Sequence, residues 1–74
     1  MITEYNPDKK YYTMVAKRRS TDNARLAIKV SCIKLDGIWY LVDTTGNPVK
    51  PLLIVSDAGK ESPYTDDDIW EIGT

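Results

Sequence analysis

The sequence predicts an all-β domain: an antiparallel meander of four or five strands, curled into a small SH3-like or OB-like barrel and ending in a short helical turn. Two apolar runs flank Asp36-Gly37, the residue pair best suited to the positive φ angles of a tight hairpin turn. Apolar residues alternate with period two on both sides of the polar stretch Ser20-Thr21-Asp22-Asn23, as half-buried strands do. The run from Tyr11 to Arg18 adds the aromatic and β-branched content typical of strands.

Residues 1–10 contain Asn6-Pro7-Asp8, a turn-forming tripeptide whose proline drives Asn6 away from helical angles, and they read as an N-terminal arm. In the first strand Tyr12, Met14 and Ala16 share one face. Tyr11, Thr13, Val15 and Lys17 share the other, a mixed face expected to be partly covered. Ser20–Asn23 closes the first hairpin, since all four side chains compete for nearby backbone. From Ala24 the alternation resumes through Leu26, Ile28, Val30 and Cys32, then slips: Ile33 and Leu35 are apolar and Lys34 is charged. A β-bulge near Cys32 would account for the slip and bend the strand, as the corners of small barrels require.

After the Asp36-Gly37 turn, Ile38–Val42 is apolar on both faces, which predicts a central strand covered on both sides, with Trp39 and Tyr40 pointing oppositely. Asp43–Pro48 forms a second turn, and Val49-Lys50-Pro51 leads into Leu52–Val55, where Pro51 fits a strand start or an edge. Ser56–Pro63 reads as polar loop. Thr65 followed by Asp66, Asp67 and Asp68 predicts an N-cap and a helical turn reaching toward Ile72, against the strand preference of Ile69 and Trp70. The expected plan is one domain over residues 1–74: an arm (1–10), a meander (11–56) and an acidic C-terminal segment (57–74).

The stretch DGIWYLVDTTGNPV, Asp36 to Val49, resembles the aromatic hairpin of choline-binding repeats, with their pattern of roughly G-x-W-Y-Y-L-x-x-x-G. The likeness covers 14 of 74 residues and implies a hairpin. Those repeats build their ligand cage between tandem copies, and this chain holds one copy, so no ligand follows from it.

Seventy-four residues lie near the lower size at which one core outweighs the entropy of folding, so modest stability and help from a partner are expected. Apolar residues at 42% and charged residues at 28% place the chain among folded domains. Cys32 is the single cysteine, which excludes an internal disulfide. No run approaches the length of a membrane span and the N-terminus lacks a signal-type apolar segment, so a complete cytoplasmic product free of membrane is expected. Histidine is absent, one cysteine cannot hold a structural zinc, and no phosphate-cradle or nucleophile-elbow motif occurs. The expectation is a non-enzymatic protein with no cofactor and no metal.

Charge is split along the chain. Residues 1–35 carry eight basic and three acidic side chains, and residues 36–74 carry two basic and eight acidic. That pattern calls for an electrostatic partner or for pairing of the two halves with each other. The first candidate contact surface is the acidic segment, with Asp66, Asp67 and Asp68 beside Tyr64 and Trp70, and Trp39 as an added anchor. Aromatics among carboxylates suit a basic partner protein. The second is the basic hairpin, Lys17, Arg18, Arg19 and Arg25 with Tyr11, which would neutralise phosphates and stack bases. The function expected is protein binding by a small accessory or inhibitor protein of the kind bacteriophages use to occupy a host protein. The alternatives are a small nucleic-acid-binding barrel and a self-associating assembly protein, a homo-oligomer joined basic half to acidic half.

Overall fold

A computed structural model describes residues 1–18 and 25–73, apart from the side chains of residues 17, 18 and 25. Among them the strands run β1 (Tyr11–Arg18), β2 (Arg25–Leu35), β3 (Ile38–Val42), β4 (Pro48–Pro51), β5 (Leu53–Val55), β6 (Glu61–Pro63) and β7 (Trp70–Glu71), with one turn of 3-10 helix at Asp66–Asp68. β4, β3, β2, β1 and β7 form one antiparallel sheet in that order, and β5 with β6 forms a separate ribbon. No described helix is long and apolar enough to cross a membrane.

The sheet is open, so the expected closed barrel does not form and no SH3-like or OB-like assignment stands. Its edges explain why. β4 carries a proline at each end, and proline cannot donate to a ladder. β7 is two residues long and covers only Tyr11 and Tyr12 of β1.

Asp36 (φ 50°) and Gly37 (φ 80°) form the tight turn that the sequence predicts. Two later turns share one design. Asp43 accepts from the amide of Gly46 through its carbonyl and from the amides of Thr45 and Asn47 through Oδ1. Ser56 repeats this, with its carbonyl on Gly59 and its Oγ on the amide of Lys60. Gly46 (φ 88°) and Gly59 (φ 80°) supply the left-handed positions. The second of these turns makes a hairpin of the segment read as polar loop: Glu61–Pro63 pairs with Leu53–Val55. Its polar side chains and proline hid a strand that the turn and its partner create.

The β2 register runs without a break against both neighbours, so the bulge expected near Cys32 is absent; the irregularity lies at Leu41/Val42 between β3 and β4. The alternation does not slip at all. Lys34 stays on the inner face, directly across from Trp39, and its Nζ reaches Asp66 Oδ1 at 3.0 Å. Ile33 and Leu35 therefore belong to the outer face. A charged residue at a core position needs a partner, and the chain supplies one 32 residues away.

β1 buries Tyr11 and Thr13, whereas Met14 and Ala16 are exposed, so the mixed odd face is the core face. β3 is covered on one side: Trp39 is 1% exposed while Ile38 lies open. The core consists of Tyr11, Cys32, Trp39, Leu52 and Ile69. The N-terminal arm folds over it, with Tyr5, Tyr11 and Trp39 in mutual contact at ring-centre distances of 5.3–5.6 Å. The C-terminal segment resolves into both expected forms. Asp66–Asp68 makes the turn, capped where Asp68 Oδ2 accepts the Thr65 amide at 2.9 Å, and Trp70–Glu71 then pairs with β1. Buried Thr13 donates from Oγ1 to the Asp68 carbonyl at 2.6 Å, pinning the turn to β1. Among the described residues the ion pairs Lys9–Glu71 and Lys34–Asp66 join the basic half of the chain to the acidic half.

The fold leaves much of itself uncovered. Its accessible surface is 5756 Å², against about 4600 Å² for a monomer of this mass. Its radius of gyration is 13.1 Å, where about 11 Å is usual for this length.

Candidate functional site

Beyond Tyr12 and before Cys32, β1 and β2 have lost their outer neighbours and continue as a two-stranded ribbon. Its inner face continues the core pattern, with Val15 opposite Ile28. The β5–β6 ribbon stands across from it, fixed at its base by the Leu52 amide on the Trp39 carbonyl (2.9 Å) and the Tyr64 amide on the Leu52 carbonyl (3.1 Å). Between the ribbons lies a groove of about 1050 Å³, lined by Val15, Ile28, Leu41, Leu53, Val55 and Tyr64, with Lys50 and Asp57 supplying charge. Its walls remain wet: Ile28 is 38% exposed and Val55 63%. Among the described residues no three His, Cys, Asp or Glu side chains converge as metal ligands.

The residues expected to form one acidic contact patch are divided by the fold. Tyr64 lines the groove, and burial first, then the Asp68 carboxylate, raises its hydroxyl pKa. Asp66 turns inward, accepting from Trp39 Nε1 at 2.9 Å and from Lys34. Those two hydrogen bonds, Trp39 first, hold its carboxyl below the usual range. Asp68 caps the turn, and Asp67 alone of the three is exposed. Trp70 lies on the opposite side of the sheet, 41% exposed. Trp39 is a core residue and offers no contact surface in this fold.

Of the basic-hairpin candidates, Tyr11 is buried, and its hydroxyl accepts the Asn6 amide at 2.8 Å, so it offers no ring for stacking. Arg19 and the side chains of Lys17, Arg18 and Arg25 lie outside the described residues. Sequence reasoning missed Val15, Ile28, Leu53 and Val55 as surface residues. The available signal was Leu52–Val55, four apolar residues in a row beside an edge proline, more than a half-covered strand buries.

Comparison with protein-family models, with curated proteins and with solved structures finds no match to this chain.

Proposed function

We propose that this chain is a non-catalytic protein-binding module, a small accessory or inhibitor protein that inserts an apolar segment of its partner between the β1–β2 and β5–β6 ribbons. The observation that carries the reading is the groove itself, an apolar continuation of the core that none of the described residues fills. Its size is at the upper end of small-ligand sites, but it lacks their enclosure and converging polar groups, whereas apolar anchors in grooves are how peptides and helices dock. Asp57 within the groove and Glu61 opposite Val55 favour a basic group on the partner at that end, and Lys50 an acidic one beside it. The surface in excess of a typical monomer is of the order that one partner buries in a standard interface, about 800 Å².

The test is a tagged pull-down from bacterial lysate after nuclease treatment, comparing the parent chain with Val55→Glu and Trp70→Ala. One protein retained in stoichiometric amount by the parent and by Trp70→Ala, and lost with Val55→Glu, supports the groove as the contact. Capture that disappears with nuclease, or that Val55→Glu leaves unchanged, overturns it.

A further inference from the structure

The opposite face of the five-stranded sheet has a different chemistry. Following the register, the outward positions include Trp70 on β7; Tyr12, Met14 and Ala16 on β1; Leu35, Ile33, Ser31, Lys29 and Ala27 on β2; and Ile38, Tyr40 and Val42 on β3. Met14, Leu35, Ile38 and Trp70 among them are exposed. Trp70 is stacked on Tyr12 with ring centres 6.0 Å apart and planes 25° from parallel, and Lys29 Nζ lies over the Tyr12 ring, 4.1 Å from its centre. No outward position of the five strands is acidic, and the register runs on to a pair of arginine positions, Arg18 opposite Arg25. The nearest carboxylate of β7, Glu71, is turned to the other face and engaged by Lys9.

Aromatic rings on an open sheet, with the Lys29 ammonium and no carboxylate among the described outward side chains, select a ligand that is at once anionic and planar. We infer that this face binds single-stranded nucleic acid, with bases stacking on the exposed ring of Trp70, which Tyr12 backs, and phosphates neutralised by Lys29. A second copy of the chain is the poorer occupant, because two identical faces brought together would bury each Lys29 ammonium against a face that offers no carboxylate. A duplex is poorer still, since its bases are already stacked and expose no ring face. The groove plays no part in this: Trp70, Tyr12 and Lys29 do not line it.

The experiment uses the full chain with fluorescein-labelled oligothymidylate and oligouridylate of about 20 nucleotides, at roughly 50 mM and 200 mM salt, with heparin and a duplex of the same length as controls. Binding is read by anisotropy and by tryptophan emission. Trp39 is sealed in the core, so quenching reports Trp70. The expected result is a dissociation constant of about 1–100 µM at the lower salt for one or both strands, with quenching. Trp70→Ala and Tyr12→Ala should each weaken binding about tenfold, and Lys29→Gln should lower the salt slope by about one. Circular dichroism establishes that each variant is folded, and Trp70→Phe, which keeps a ring, should restore most of the loss. Preference between the two oligonucleotides assigns DNA or RNA. No binding at about 100 µM, equal binding of duplex and heparin with no effect of Trp70→Ala, or a dimer at low salt that occludes Trp70 would each overturn the inference.

Discussion

Trp39 and Trp70 sit on the two faces of one small sheet and have opposite fates. Trp39 is enclosed by Tyr5 and Tyr11 and gives its indole N–H to Asp66; Trp70 rests on Tyr12 with 41% of its surface in water. The difference does not come from the strands, which are apolar on both sides. It comes from the covering segments: the N-terminal arm and the 3-10 turn close over the inner face, where Trp39 lies, and leave Trp70 on the outer face exposed. Coverage in a chain of this size is a scarce resource, and the places it fails to reach are where contacts with other molecules are to be sought.

Truncating the two tryptophans gives the sharpest form of the comparison. Trp39→Ala should cost about 3–5 kcal/mol, enough to unfold much of a domain this small, whereas Trp70→Ala should cost about 1 kcal/mol through its lost contact with Tyr12. Urea unfolding followed by circular dichroism measures both. Equal costs would mean that the two faces are covered alike.

Asp66 comes next, because it ties the acidic turn to the core. Asp66→Ala leaves the buried indole N–H without its acceptor and should cost about 1–3 kcal/mol. Asp66→Asn keeps an acceptor oxygen but not the charge. The folded carboxyl lies below its ordinary value of 3.8, so its ionised form contributes stability above that pH, and the contribution is lost as pH falls through the folded value. Acid titration of stability should therefore be steeper below pH 3.8 in the parent than in Asp66→Asn.

Cys32 gives the alkaline counterpart. Burial pushes its thiol from 9.0 up to about 12. A raised folded value means that the contribution is whole below 9.0 and disappears as pH rises toward 12, at up to about 1.4 kcal/mol per pH unit. The difference in stability between the parent and Cys32→Ala should shrink across that window, since an alanine side chain has nothing to ionise. Parallel curves would mean that solvent already reaches the thiol in the folded state.

The sequence made the strand hairpins legible where local chemistry decides them. Asp36-Gly37 and the alternation of β1 and β2 are readable without any tertiary knowledge, and Thr65 with three aspartates announced the turn. Which face of β1 is buried was not legible, because Tyr11-Thr13-Val15 and Tyr12-Met14-Ala16 are about equally apolar, and only the covering segments choose between them. Lys34 looked like a break in phase because its compensating group, Asp66, lies far along the chain. The acidic trio misled for the same reason: three adjacent aspartates read as one surface patch, but Asp66 and Asp68 are engaged internally. β6 was hidden because its strand character is imposed by a glycine turn and a neighbour rather than by its own residues.

The smallest expected effect is also the most discriminating one. Val55 is 63% exposed and lines the groove, so Val55→Ser should change stability by less than about 0.5 kcal/mol. The same holds for Ile38→Ser on the opposite face, where the side chain borders the turn. A residue kept apolar for folding resists such a change, whereas one kept apolar for a partner does not. Thermal melts of the two variants over a tenfold range of protein concentration separate these cases. Near-identical melting temperatures would show both faces to be free of folding constraint. A loss of several degrees in either variant, or a melting temperature that rises with concentration in the parent alone, would show that this face is already buried, in the monomer or between copies.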